Sequence, residues 1–424
     1  MQSYYDDFSE EFISSQAKES TAVLDWGVIM VTALLLALGL ISIYSATYEA
    51  GMSEYFTKQL IFGVVGAGVM IGMMFVPERW LFDYAYIFYG IAIILLTAVV
   101  VVGKTVYGSK SWLSLGPITF QPSELGKITT LLAVARYVSS KGADLRNFKD
   151  VLIVGMIFLL PIGLIMLEPD FGSASVYGTI MLGVIFWAGA DLFFLSIVVA
   201  IPIVAIAGFI GKQWMLMTSA VFTGLNFFLK KKIMPALFSL IIFISVGFSS
   251  GYVYGILKPH QQSRIQTFLN PDNDPRGRGY HVIQSIMAVG SGGVTGKGFL
   301  HGTQTQLRYI PKQWTDFIFC VPTEEFGFVG GVIVIGCLGV LILQCILIAR
   351  QSGNAFGSVL GAGIGVLFFY HTVVNIGMAI GLFPVMGIPL PFLSAGGSAL
   401  VMNMACVGII LNIYKNRRRV GRSR

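Results

Sequence analysis

KPHQQSRIQTFLNPDNDPRGRGYHVIQS (258–285), followed after four residues by GSGGVTGKGFLHGTQTQLRYIPKQWTDFIF (290–319), breaks a pattern that holds almost everywhere else in the chain. On both sides the sequence consists of long apolar runs joined by short polar pieces. Between 258 and 327 it turns polar, glycine-rich and charged. Long loops in compact proteins are usually functional or disordered. This one keeps aromatic and aliphatic residues and an amphipathic helical pattern, which argues against disorder. It therefore reads as a working loop set between two blocks of membrane spans.

The bulk composition agrees. Apolar residues make up 55% of the 424 and charged residues 12%, whereas soluble domains are about 25% charged. Mean hydropathy is +0.78. A span needs about 20 apolar residues. Candidates fall at 26–46, 59–76, 82–103, 151–167, 172–190, 192–210, 216–229, 233–255, 328–349, 356–377 and 395–414. A weaker one at 122–139 carries Glu124, Lys127 and Arg136. The expected fold is an all-α polytopic membrane protein with about 12 helices, because backbone polar groups must pair within each segment in lipid. The expected organisation is a cytoplasmic tail at 1–24, a multi-span domain at 25–414 containing the loop 258–327, and a basic tail at 415–424.

Basic residues orient the set. With the N-terminus in the cytoplasm, the joint 141–149, the triplet Lys230–Lys231–Lys232, Arg350 and the tail KNRRRVGRSR all fall inside. The loop 258–327 then falls outside, where its basic residues suit an anionic ligand. The net charge of +7 follows these joints and gives no reason to expect nucleic-acid binding. The acidic first 24 residues do not read as a signal peptide, so the first span is expected to act as its own uncleaved signal. The four cysteines and four histidines show no metal-ligand spacing and no zinc pattern.

Five regions could carry chemistry, the first and third each with an adjoining stretch. In QPSELGK (121–127), Pro122 suits a helix's first turn and Glu124 and Lys127 share one face. Ionisable residues within a span are functional candidates, with a self-neutralising structural pair as the even alternative. Just before it, GSKSWLSLG (108–116) places Lys110 and Trp112 at the outer interface, as belt anchors or as a sugar-stacking pair. EPDFG (168–172) sets two carboxylates at a proline-broken junction, with Asp170 suited to cap the next helix. NPDNDPRGRGYHVIQS (270–285) surrounds Asp272 and Asp274 with Arg264, Arg276 and Arg278; it reads as a turn, or as a general base among phosphate-holding arginines. The glycine-rich 290–298 lacks P-loop spacing, yet its amides and Lys297 could meet a diphosphate. Asp316, Glu324 and Glu325 flank an apolar stretch in which Pro322 should disturb any helix. Finally, the Pro/Gly density of 375–399 implies a bent, re-entrant connection packed against protein.

Together FQPSELGK, EPDFG, NPDNDPRGRGYHVIQS, GSGGVTGKGFLHGTQTQL, TDFIF with EEFGFVGG, and PLPFLSAGGS resemble the SEDS family of cell-wall proteins, from the first span to about residue 414. GKGFLHGTQTQL and PVMG (384–387) are similar to its elongation branch rather than its division branch. The resemblance implies a peptidoglycan glycosyltransferase that polymerises lipid II in cell elongation and shape maintenance, at the outer face of the bacterial cytoplasmic membrane. It implies a class B penicillin-binding protein as transpeptidase partner. It maps an essential aspartate onto Asp274, and other conserved positions onto Trp112, Glu124, Lys127 and Asp170. Gln284, Lys297 and Asp316 complete the expected substrate-binding set. The family usually has ten spans, so the stretch between Asp170 and His260 reads as holding an inserted pair. The chain departs from the family at SAGGSA, where SYGGSS is common, and at Trp314, where a histidine usually precedes the TD pair.

A glycan polymerase needs a base for the attacking hydroxyl and positive charge, from side chains or a divalent cation, for the leaving diphosphate. Two other classes fit the composition. One is a flippase or transporter of lipid-linked precursor. The other is a scaffold that only recruits the transpeptidase.

Overall fold

The computed structural model describes residues 24–49, 51–106, 109–115, 118–140, 143–256, 262, 278–307, 309–310 and 313–417. The helices in chain order are α1 (Trp26–Tyr48), α2 (Ser53–Phe75), the short α3 (Glu78–Asp83), α4 (Ala85–Val102), α5 (Pro122–Val138), α6 (Phe148–Leu167), α7 (Phe171–Trp187), α8 (Leu192–Ile210), α9 (Lys212–Lys230) and α10 (Ile233–Ile256). After the start of the polar loop come α11 (Arg278–Ser291), α12 (Thr303–Gln306), α13 (Cys320–Glu325), α14 (Gly327–Arg350), α15 (Ala355–Ala379) and α16 (Gly397–Asn416). Twelve of these have 17 residues or more and coincide with the twelve expected segments. Nine are long and apolar enough to cross a bilayer; α5, α7 and α9 complete the twelve.

The weak candidate, α5, explains itself by position. It packs among α4, α6, α15 and α16, and its flanks, Glu124 and Lys127 included, are buried in protein. A charged helix survives there because its neighbours are other helices and not lipid. The outer spans show the reverse. The most apolar window of α2 is only 17% buried, against 72% for that of α15. Polar side chains supply the helix starts: Asp25, Asp170, Asp191 and Asn354 each accept a backbone N–H in the first turn of α1, α7, α8 and α15. The expected cap at Asp170 is among them.

Two local features depart from the sequence reading. The segment before α5, to which the all-α reading gave no strand, is a three-stranded antiparallel meander, β1 (Lys104–Val106), β2 (Ser109–Leu115) and β3 (Ile118–Phe120). In it Trp112 faces Lys104, and Leu113 pairs with Phe120. And Pro322 does not disrupt its helix. It lies in the first turn of the short α13, where no intrahelical N–H is needed.

The bundle has two cores. The main one runs through α1, α4–α7 and α13–α16. A second, built on Phe193, Ile197, Ala200, Val204, Met215 and Phe243, belongs to α8, α9 and α10 alone. These three helices pack on each other and meet the rest chiefly through α7, with Phe148 of α6 against Phe194. Lys230 pairs with Asp191, and Asn226 with Ser196, inside this unit.

Candidate active site

The site begins at the first turn of α5. Glu124 and Lys127 form an ion pair at 2.8 Å with side chains only 6% and 4% exposed. The Lys127 ammonium also lies 3.4 Å from Nε2 of His371 on α15. Next to the pair, the Tyr177 hydroxyl of α7 donates to the Ser123 carbonyl at 2.9 Å and fixes α7 against α5. Gln121 donates to Asp170 at 3.4 Å, and Asp170 holds the start of α7 through the N–H and hydroxyl of Ser173 at 3.0 and 2.7 Å. QPSELGK and EPDFG, 49 residues apart, are thus one structure. Glu168, at the α6–α7 junction, is buried and takes a hydrogen bond from Ser111 of β2. Burial pushes its carboxyl up to about 8, against the Ser111 hydrogen bond and with the Asp170 charge adding to the rise.

A second wall is the re-entrant segment 380–396, which contains no long helix, as its prolines and glycines imply, and which is buried through most of 388–394. Polar side chains hold its backbone. Asn375 of α15 donates to the carbonyls of Ile388 at 2.8 Å and Asp316 at 3.1 Å. Ser394 donates to the Thr315 carbonyl at 2.7 Å, and Gln59 of α2 donates to Ser394 and accepts from Gly396. A Cβ on Gly172 would lie 2.4 Å from the Met386 carbonyl oxygen, so EPDFG abuts this segment with no room for a side chain. The Asp316 carboxylate lies beside Gly387, whose Cβ would be 3.9 Å away. The Ala395 N–H donates to the Trp314 carbonyl at 2.8 Å, and the Trp314 ring packs on Tyr55.

The glycine-rich stretch is a clasp and not an open anion loop. Its Lys297 and Gly298 amides donate to the carbonyls of Glu324 and Glu325 at 3.1 and 2.9 Å, and Phe328 donates back to Gly293 at 2.8 Å. Gly296 adopts φ +81°, and a Cβ there would sit 2.1 Å from the Glu325 carbonyl oxygen, so only glycine serves. Lys297 donates to Ser291, Thr303 and Glu324, each at 2.7 Å. An ammonium has three N–H donors, so all of its donors are spent. Glu324 accepts further from the Gln304 and Thr305 amides at 2.8 and 2.9 Å and from the Thr305 hydroxyl at 2.7 Å. Burial opposes its ionisation, but Lys297 and these donors outweigh burial and hold the carboxyl below the usual carboxylate range. The adjoining Glu325 moves the other way: burial raises it, although Ser45 of α1, the Leu300 amide and Gln306 all donate to it.

The remaining predicted residues divide into three groups. Trp112 on β2 and Gln284 on α11 are half-buried. Lys110 and Arg278 are placed by backbone, in β2 and at the start of α11. Asp274, Arg264 and Arg276 lie outside the described residues. Helix α11, which follows them directly, is pinned by Ser285: its hydroxyl donates to the Ala379 carbonyl at 2.6 Å and lies 2.9 Å from the Cys320 sulfur. Sequence reasoning missed His371 and Asn375. The histidines show no zinc pattern, yet HTVVN (371–375) puts two polar residues four apart on one face of an apolar helix, which is the signal. Among the described residues no group of three or more His, Cys, Asp or Glu could hold a metal.

Comparison with known proteins fits this arrangement along its whole length. The FtsW/RodA/SpoVE family model, described as "Cell cycle protein", matches residues 25–223 and 214–419. The chain belongs to the FtsW/RodA/SpoVE family. Within that family it is 34% identical over 401 residues to the peptidoglycan glycosyltransferase MrdB of Escherichia coli K12, covering 94% of this chain and 96% of that protein. It is 33% identical over 426 residues to the peptidoglycan glycosyltransferase RodA of Treponema pallidum, covering 92% and 97%. Among solved structures, a chain of a peptidoglycan synthase complex described as coordinating polymerization and crosslinking superposes with TM-score 0.70 at 30% identity, over 93% of this chain and 98% of that one. The rod shape determining protein RodA of Thermus thermophilus gives 0.62 at 25% identity, over 93% and 97%. A FtsW/RodA/SpoVE fold, all-helical and multi-pass, is the frame in which the Glu124–Lys127 pair, the EPDFG junction and the re-entrant segment meet.

Proposed function

We propose that this chain is a peptidoglycan glycosyltransferase of the elongation type, polymerising lipid II. The full-length relationship to glycosyltransferases supports the reaction class. One structural observation carries the site: Lys127 is a buried ammonium with two of its three donors engaged, by Glu124 and His371, beside the EPDFG junction. A diphosphate oxygen can take the third. Lys297 has no donor left, so its part is to hold the loop.

In this reading a sugar hydroxyl attacks the anomeric carbon of a second, diphosphate-linked sugar. Asp274 takes the hydroxyl proton as the new glycosidic bond forms, and the lipid diphosphate leaves. Lys127, Lys110, Arg264, Arg276 and Arg278 balance its charge. Trp112 stacks on a sugar ring, and Gln284, Asp170 and Asp316 contact the substrate's polar groups. Both lipid tails stay in the bilayer, which places the chemistry among spans. The termini are cytoplasmic and the site opens on the outer face of the bacterial cytoplasmic membrane. A class B penicillin-binding protein crosslinks the product. The domain limits are those set out from the sequence, with 258–327 as the working loop.

The test is Asp274→Asn with labelled lipid II and purified protein in vesicles. Loss of a general base costs about 10²–10⁴-fold in rate. The variant should insert and bind the transpeptidase yet make almost no glycan, while Asp272→Asn keeps most activity. Near-parental polymerisation by Asp274→Asn would remove the assignment. Leaflet exchange of lipid II without any polymer from the parental protein would favour a flippase.

A further inference from the structure

His371 is a buried histidine that no part of the reaction above uses, and its two ring nitrogens face opposite partners. Nδ1 is 3.1 Å from the Pro389 carbonyl oxygen in the re-entrant segment. Nε2 is 3.4 Å from the Lys127 ammonium. A carbonyl oxygen only accepts, so Nδ1 must carry the proton for that contact to be a hydrogen bond. An ammonium only donates, so Nε2 must present its lone pair. One neutral tautomer satisfies both contacts, and the geometry selects it. A second proton would set two cations 3.4 Å apart among buried side chains, with one carboxylate, Glu124, to answer both.

We propose that His371 is a positioning residue for glycan polymerisation: as the Nδ1-protonated neutral tautomer it aims the Lys127 ammonium and ties that aim to the re-entrant segment. Three points support it. First, a lysine side chain is a flexible stem carrying a point charge. Glu124, three residues away on the same helix, constrains it from one side only, and His371 supplies a second direction from α15. Second, the histidine is itself held. Its ring is 1% exposed as a residue, and one turn along α15 Asn375 grips Ile388, the neighbour of Pro389, together with the Asp316 backbone. Third, the same network reaches both carboxylate-bearing walls, Asp316 through Asn375 and EPDFG through the Gly172–Met386 contact. Lys127 is thereby held in register with the segments that border it. This rests on the reading that Lys127 meets the substrate diphosphate.

The experiment combines rates with nitrogen-15 spectra, in purified protein given lipid II. His371→Leu, of similar bulk but without an acceptor, should lower polymerisation about 10- to 100-fold, the loss expected when a reacting group is displaced by about an ångström. His371→Gln, which can both donate and accept, should retain most of the rate. In a Lys127→Gln background His371→Leu should cost nothing further, because it acts through that lysine. Multiplicative losses would mean that His371 only holds the fold, and would overturn the proposal. In ¹⁵N-histidine spectra, with the His371 signal assigned by its loss in His371→Gln, Nδ1 should be protonated and Nε2 bare. The Nε2 signal should shift in Lys127→Gln. A protonated Nε2 would overturn the proposal even if His371→Leu failed to fold. Should Lys127→Gln leave no measurable rate, these signals decide alone. If Lys127→Gln polymerised at the parental rate, the substrate reading of Lys127 would fall and this proposal with it. If Lys127→Gln were impaired and His371→Leu were not, this proposal alone would fall.

Discussion

Two lysine–glutamate pairs in this protein look alike on paper and are bonded differently. Glu124–Lys127 joins residues three apart on one helix, at 2.8 Å. Glu324–Lys297 joins residues 27 apart, at 2.7 Å. In the second pair every N–H of the ammonium is used, and the carboxylate collects three more donors from Gln304 and Thr305. That pair is complete and holds a loop closed. In the first, the lysine keeps a donor in reserve, and the contact is buried on both sides. The separation in sequence says nothing about which pair is structural. Counting donors does.

The largest effect should come from stranding the incomplete pair. Glu124→Ala leaves Lys127 buried without its counter-charge, which costs roughly 3–5 kcal/mol. Protein level in the membrane and lipid II polymerisation should both fall. Reversing both charges should restore the level far better than the activity. Full activity in the swapped protein would make the two pairs equivalent and the distinction void.

Next is the complete pair. Lys297→Met should cost less, about 1–3 kcal/mol, because Glu324 keeps its donors from Gln304 and Thr305 and the lysine is 25% exposed. Thermal stability should drop, while the polymerisation rate of the folded fraction stays near parental. A selective loss of rate at unchanged stability would return Lys297 to the substrate.

A third effect appears only as a pH dependence and concerns Glu168, whose carboxyl is raised from its ordinary value of 4.5 to about 8 by burial. As pH rises between these values the unfolded chain releases this proton and the folded protein retains it, so stability falls. Below about 4.5 the contribution is fully present; above about 8 it is gone. Glu168→Gln should flatten that part of the stability profile, measured as unfolding temperature against pH. An unchanged slope would mean that Glu168 ionises freely at the EPDFG junction.

Much of this was legible in the sequence, for identifiable reasons. Apolar length marked nine of the helices as spans, since a bilayer imposes it. Pro122 and Asp170 marked the starts of α5 and α7, since helix ends have local chemistry. The pairing of Glu124 with Lys127 followed from helical spacing. What was hidden needed long-range contact. Nothing local in GSGGVTGKG reveals that its amides are consumed by Glu324 and Glu325, so an anion loop and a clasp read alike. The meander at 104–120 is too short for a strand pattern to stand out. His371 looked isolated because Lys127 is 244 residues away.

The separate core of α8–α10 has a thermodynamic consequence. Two cores joined by a small shared surface need not melt together, because cooperativity depends on contacts that cross between them. A single unfolding temperature is then a property of the probe. A fluorophore near Phe243 reports the three-helix unit, and one near Tyr177 reports the main core around Glu124 and Lys127. Stability changes caused by variants around Glu124 are meaningful only when read from the second position.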